Sequence, residues 1–430
     1  MAFTNSIIQN MAKNKQIEEI RLSDFPEEMD KQHGVKIYGE TSYENMLAVL
    51  SQYLHHGAIS HNIDRKEIIS AILEFLERKK SQHPELDCEL SEEYAAMVAE
   101  NPNQYNLFDD FFNVPFPNPQ NAQFSLIDLF AGIGGIRLPF NELGYQCVFS
   151  SEWDKHAQQT YFANFGEMPF GDITKESTKQ HIPRHFDLLL AGFPCQAFSI
   201  MGKMKGFDDV RGTMFFEVAT ILDRHRPQAI LLENVKQLTT HDHGRTFKTI
   251  LRILDELGYH VKWKVLNALD FGLPQKRERV IIVGFRNQEY IDSFDFGFEK
   301  SKYTLEGLLE TDDVVDPKLF ASDRILEKRK QQTAGKQIFY PSIWHENKAG
   351  NVSVLDYACA LRTGASYNYL LINGKRRPSS RELLRLQGFP DQYRISVSHG
   401  EIRRQTGNSV AVPMIREIAR KIDLILKRNN

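Results

Sequence analysis

Cysteine is scarce in this chain: four occur among 430 residues, Cys88, Cys147, Cys195 and Cys359, and no two have metal-ligand or framework spacing. That scarcity argues against a disulfide scaffold or a cysteine zinc cluster and points to a reducing, cytoplasmic compartment. Long apolar runs are missing as well. The first 30 residues carry charges throughout with no apolar leader segment, and no uncharged run approaches the ~18 to 20 residues that would cross a bilayer, so neither export nor membrane insertion is expected. Internal repeats and low-complexity tracts are absent too.

A strong charge excess is also lacking, since the net charge is −3. The near-balance conceals a division. Residues 1–122 hold 10 Lys/Arg against 20 Asp/Glu, whereas residues 123–430 hold 43 against 36. The second region is suited to face a phosphate backbone and the first is not. With 41% hydrophobic and 25% charged residues, the chain can bury a large core spread over two or three domains.

In the N-terminal region Tyr43, Met46, Leu47, Leu50, Tyr53 and Leu54 recur at helical spacing, as do Ile68, Ile69, Ile72, Leu73 and Leu76. A small helical extension over 1–122 is expected, which supports packing, binds a partner or meets DNA through a local basic group such as Arg78, Lys79 and Lys80. Residues 101–123, interrupted by Pro115, Pro117 and Pro119, read as a linker. From Phe124 short apolar runs alternate with amphipathic stretches. Ser125 to Phe130, Cys147 to Ser150, Leu188 to Ala191, Ala229 to Leu232 and Val280 to Phe285 are predicted strands of an α/β fold, a mostly parallel sheet with helices on both faces. Periodicity weakens after about 287 and helical patterns resume at Ser380. The predicted division is an extension at 1–122, a sheet domain at 123–289, a smaller inserted domain at 290–377, and completion of the sheet domain at 378–430.

The first predicted strand runs into Ala131-Gly132-Ile133-Gly134-Gly135, a tight turn that exposes backbone N–H groups to an anionic ligand group or simply packs a helix onto the sheet. It departs from G-x-G-x-x-G, against a nicotinamide-dependent oxidoreductase. Glu152 ends the second strand, placed to hydrogen-bond a ribose, with Trp153 beside it to stack on an adenine. Asp172, in Gly171-Asp172-Ile173, reaches an adenine amino group or caps the next helix. Cys195, in Gly192-Phe193-Pro194-Cys195-Gln196-Ala197-Phe198-Ser199, stands just after the third strand, where such sheets present reactive groups, although a buried packing cysteine fits that position too. Glu233-Asn234-Val235 and Gln275-Lys276-Arg277-Glu278-Arg279 are two more polar clusters at strand ends.

These segments, together with Asp128-Leu129-Phe130 ahead of the glycines, Arg381 to Pro390 and Gln405-Thr406-Gly407-Asn408-Ser409-Val410, occur in the order seen in the DNA (cytosine-5)-methyltransferases of bacterial restriction-modification systems, which the chain resembles over about 124–430. The resemblance implies a Rossmann-like mixed sheet that binds S-adenosyl-L-methionine and releases S-adenosyl-L-homocysteine without a metal. It implies Cys195 as nucleophile at carbon 6 of cytosine, Glu233 as the acid at ring nitrogen 3, and Arg279 on the ring carbonyl. Arg277 joins this catalytic cluster with the DNA backbone as its expected contact.

Cofactor contacts carried over are Phe130, Gly132, Gly135, Glu152, Trp153, Asp172, Ile173, Asn408 and Val410, of which Phe130 and Val410 fit a core role equally well. Gln196 and Ser199, with the glycine-bearing basic stretch 200–212, match the family's mobile loop over a flipped base. In the inserted domain Arg362 and Thr363 match its base-reading loop, Arg362 facing a guanine or solvent. The basic run Lys375-Arg376-Arg377 is expected to meet phosphates or to form a solvated surface. His241 and His243 are read as structural or exposed polar residues. The implied substrate is double-stranded DNA, the implied assembly a monomer, and the implied functional partner a restriction endonuclease. An RNA methyltransferase of the same fold and a DNA-binding regulator without catalysis are the competing readings. A separate target-recognition segment weighs against the first, and the presence of Cys195, Glu233 and Arg279 against the second.

Overall fold

The computed structural model describes Asn45, Ala48, Ser51 and residues 114–119, 122–194 and 214–428. At its centre lies a six-stranded mixed sheet in the order β2-β1-β3-β4-β7-β5. Strands β1 (Ser125–Leu129), β2 (Gln146–Ser151), β3 (Leu188–Ala191) and β4 (Ala229–Val235) run parallel. Strand β7 (Glu278–Phe285) lies antiparallel between β4 and the edge strand β5 (His260–Asn267). The parallel strands are runs such as Leu-Leu-Leu-Ala in β3, buried at every position, because helices cover both faces.

Side-chain alternation assigns successive residues to opposite faces. Ile127, Leu129, Leu189, Ile230, Leu232 and Ile282 meet α4 (Met214–His225) and α5 (Arg245–Glu256). Their neighbours Leu126, Leu188, Leu190, Leu231, Ile281 and Val283 meet Ile136, Phe140 in α1 (Arg137–Glu142), and Met414, Ile415, Ile418 and Ile422 in α10 (Val412–Arg428). Each such side chain contributes roughly 1.5–3 kcal/mol by burial. Helix α2 (Lys155–Phe165) follows β2, with Asp154 as its N-cap accepting from Ala157 N–H; the short α3 (Glu176–Lys179) precedes β3.

Two segments outside the expected sheet-domain limits also pack on it. Phe116 stacks on Tyr393 and lies against Phe165, while Asn118 donates to Cys147 O and accepts from Arg137. Beyond β7, α6 (Gln288–Ser293) buries Ile291, and Phe294 lies in the same cluster as α10.

The inserted region carries α7 (Asp323–Gln332) and a small antiparallel sheet, β11-β8-β9, built from β8 (Ile343–Glu346), β9 (Val352–Leu355) and β11 (Leu370–Ile372). A two-residue parallel pair joins β10 (Ala358–Cys359) to β6 (Gln275–Lys276) and forms a seam with the sheet domain. The chain then returns through α8 (Ser380–Gln387), opened by a Ser379/Glu382 capping box, and α9 (His399–Asn408) to α10. Gln405 fixes α9 on α2 by donating to His156 O and accepting from Thr160 Oγ1.

The expected strands coincide with β1, β2, β3, β4 and β7 to within three residues at either end. Strand β5 was not anticipated: with Lys262 and Lys264 it is a half-exposed edge strand that lacks an apolar run.

Candidate active site

The glycine turn after β1 is strained and open on one side. Phe130 and Gly132 both have φ of 55°, and a non-glycine residue there is uncommon outside functional turns. A Cβ on Gly132 would meet no atom within 4 Å, whereas one on Gly134 would lie 2.2 Å from Phe165 Cε2. The first glycine thus faces a space and the second permits contact with α2. At Gly135 a Cβ would meet Ser409 Oγ at 2.8 Å and Val410 Cγ2 at 3.0 Å, so the C-terminal motif closes directly over the turn.

Glu152 spans this cradle. Its carboxylate accepts from Gly132 N–H and Asp154 N–H, each at 2.8 Å. Burial raises its pKa, and those backbone donors oppose the rise. Trp153, at 77% exposure, offers a free ring beside it. Ile173 is buried in the same cluster that Phe130 packs against, and Asp172 accepts from Thr174 N–H and its hydroxyl, a turn ahead of α3. Val410 is buried, and Asn408 is exposed at the end of α9. An open glycine turn, a bridging carboxylate and an exposed indole fit an adenosine-bearing cofactor.

The second half of the site lies at the ends of β3, β4 and β7. Glu233 and Arg279 sit on adjacent antiparallel strands, and Arg279 Nε lies 2.8 Å from Glu233 Oε1 with both side chains nearly buried. Burial raises the Glu233 pKa; Arg279 and then Arg277 pull against it. Asn234 donates to Phe193 O at 2.8 Å while its own carbonyl accepts from Val235 N–H. It therefore anchors the segment two residues before Cys195. A Cβ on Gly192 would stand 3.7 Å from Glu233 Oε2, so that carboxylate borders the same segment. Cys195, Gln196, Ser199 and the loop 200–212 lie outside the described residues. The two described cysteines are poor nucleophiles: burial pushes the Cys147 thiol up to about 12 and the Cys359 thiol to about 11.

Two expected DNA contacts are corrected. Arg277 is fully buried and donates to Leu361 O, Gly407 O and Ser409 O, so its guanidinium is taken up by backbone carbonyls and cannot meet a phosphate. Within the basic run, Arg376 is 1% exposed and bound by Asp312 and Glu382. Arg377 is half-buried, donating to Asn368 Oδ1 and Lys318 O with its guanidinium 4.2 Å from the Tyr367 ring centre, and Arg403 lies 4.7 Å from the same ring. Arg362 is exposed and lies over Tyr369, with exposed Thr363 next to it. Tyr367 and Arg403 were not singled out as a pair from the sequence, for 36 residues separate them. Asn234 stood in a quoted motif, but its bond to Phe193 needs the parallel pairing of β3 with β4 to be visible. His241 Nδ1 lies 2.7 Å from Thr246 Oγ1 at the start of α5, a structural placement.

Fold and site together define a methyltransferase of the S-adenosylmethionine-dependent class. The family pattern described as C-5 cytosine-specific DNA methylase matches residues 124–424, and the chain belongs to that family. It is 57% identical over 300 residues to the Type II methyltransferase M.HaeII of Haemophilus aegyptius, covering 69% of this chain and 92% of that protein. It is 56% identical over 306 residues to the Type II methyltransferase M.NgoBI of Neisseria gonorrhoeae, covering 70% and 94%. Among solved structures, S. pombe Dnmt2 methyltransferase superposes with a TM-score of 0.53 at 19% identity, covering 72% of this chain and all of that one, which supports the fold. The protein is a DNA cytosine-5-methyltransferase. Among the described residues no group of His, Cys, Asp and Glu is placed to hold a metal, and no helix is long and apolar enough to cross a membrane.

Proposed function

We propose that the protein extrudes a cytosine from a specific double-stranded DNA site and methylates carbon 5 through a covalent bond from Cys195. The observation that carries this reading is the buried Glu233–Arg279 pair beside the segment leading into Cys195. Cytosine carbon 5 is a poor nucleophile until the ring's aromaticity is broken. The Cys195 thiolate forms a bond to carbon 6, and the electron pair displaced from the ring moves toward nitrogen 3. Glu233, whose raised pKa favours the acid form, donates a proton or hydrogen bond there. Arg279 holds Glu233 in place and offers its remaining donors to the ring carbonyl oxygen. When bound, S-adenosyl-L-methionine supplies an electrophilic methyl group. Loss of the carbon 5 proton and departure of Cys195 then restore the ring.

Phe130, Gly132, Gly135, Glu152, Trp153, Asp172, Ile173, Asn408 and Val410 would hold the cofactor, Glu152 through its ribose and Trp153 against its adenine. Gln196, Ser199, Arg362 and Thr363 would contact DNA, with target choice made by residues 290–377. A monomer acting in the bacterial cytoplasm to protect host DNA from a companion restriction endonuclease completes the reading, its protective role suggested by the Type II methyltransferase relatives. The test is transfer of tritiated methyl groups to genomic DNA and to transfer RNA by wild type and Cys195→Ser. Label at carbon 5 of DNA cytosine, lost in the variant, is expected. Label confined to transfer RNA, or undiminished in Cys195→Ser, overturns the proposal.

A further inference from the structure

The family match begins at residue 124, so the acidic N-terminal region lies outside the family pattern. Three of its residues are nevertheless buried against the cofactor half of the site. Asn45, Ala48 and Ser51 are helical and three residues apart, with exposures of 2%, 0% and 3%. They project from one side of a helix.

Asn45 and Ser51 both hydrogen-bond to the stretch 168–178. Phe170 spends its N–H and C=O on β2, donating to Ser150 O and accepting from Glu152 N–H. In that parallel pairing the N–H of Gly171 points away from the sheet. Asn45 Oδ1 accepts it at 3.0 Å. The Asn45 amide donates to Ser177 O at 3.2 Å and Thr178 Oγ1 at 3.3 Å, and Ser51 Oγ accepts from Met168 N–H at 2.9 Å. Ala48 packs in the cluster that contains Phe170 and Ile173. One asparagine thus clasps both ends of the turn bearing Asp172 and Ile173, and the same stretch is hydrogen-bonded to Glu152.

We propose that Asn45, with Ser51, is a positioning residue for cofactor binding. By clasping the turn at Gly171 and at Ser177–Thr178, it fixes the adenine-side wall of the site, so that the N-terminal region works as a part of the methyl-donor pocket. This inference rests on the assignment of Asp172 and Ile173 to the adenine. Deleting the Asn45 amide leaves the buried Gly171 N–H and the partly buried Ser177 carbonyl without this partner, which lets the turn relax.

The experiment is calorimetric binding of S-adenosyl-L-homocysteine to full-length wild type, Asn45→Ala, Asp172→Ala and the double variant, with thermal melting in parallel. Asn45→Ala is expected to weaken binding about tenfold. In steady state it raises the cofactor KM by a similar factor and changes kcat at saturation less than about twofold, the signature of lost uniform binding. The double variant is expected to bind no more weakly than Asp172→Ala, because Asn45 acts through that turn. Wild-type affinity in Asn45→Ala, or full multiplication of the two losses, overturns the proposal. Wild-type affinity in Asp172→Ala alone overturns instead the adenine assignment. Should Asn45→Ala not fold, Ser51→Ala takes its place, with a smaller loss of affinity expected and an unchanged affinity counting against the role.

Discussion

Glu233 Oε1 and Arg279 Nε meet at 2.8 Å across the antiparallel β4–β7 pair, a contact made between neighbouring strands of opposite direction. Removing the acid while keeping its shape, Glu233→Gln, is expected to lower kcat by roughly 10²- to 10⁴-fold with little change in cofactor affinity, measured by single-turnover methyl transfer. Because Arg279 stabilises the ionised form, Arg279→Gln raises the Glu233 pKa further. The alkaline limb of the rate profile should then move to higher pH while its height falls.

Asp128 tests linkage within β1. Burial raises its carboxyl from 3.8 to about 7, opposed by Arg137 and reinforced by Glu152. The folded chain keeps this proton over a range in which the unfolded chain has released it. Its contribution to stability is therefore complete below about pH 4 and is lost as pH rises through about 7. Asp128→Asn should flatten that decline and gain on the order of 2 kcal/mol at pH 8, read from urea unfolding of the cofactor-free protein.

Arg277 separates a structural arginine from a phosphate contact. Arg277→Ala leaves three buried carbonyls without this donor and should cost about 3 kcal/mol of stability. The slope of log Kd for DNA against log salt should stay unchanged. A phosphate contact would instead lower that slope by about one.

Gly407 lies where α9 passes beneath Arg362 and Thr363 of the inserted region. A Cβ there would meet Thr363 N at 2.7 Å and the Arg362 carbonyl carbon at 2.9 Å. Gly407→Ala is expected to displace Arg362 and Thr363, weakening discrimination between cognate and single-mismatch DNA by about tenfold, with S-adenosyl-L-homocysteine affinity retained. Competition binding against the two duplexes measures it.

Much of this architecture was legible because the parallel strands are short, mainly apolar runs that lead straight into distinctive motifs; β3 closing on Gly192-Phe193-Pro194 is one case. What stayed hidden depends on pairing across distance. Arg277 and Arg279 are two residues apart and chemically alike, yet one faces three carbonyls and the other a carboxylate. No periodicity distinguishes them. Arg376 looked like surface charge because its partners Asp312 and Glu382 come from before and after it in the chain. The role of Asn45 was equally out of reach, since its partners lie more than 120 residues away.

The seam between the sheet domain and the inserted region has a consequence for how such a protein diversifies. Gln275 donates to Leu386 O and accepts from Leu361 N–H, and Arg277 donates to Leu361 O, Gly407 O and Ser409 O. Across that seam these two side chains grip the main-chain N–H and carbonyl of Leu361. Main-chain atoms survive any change in the side chains that carry them. Side chains around Leu361 in the inserted region are thus free to drift while these two grips stay in place.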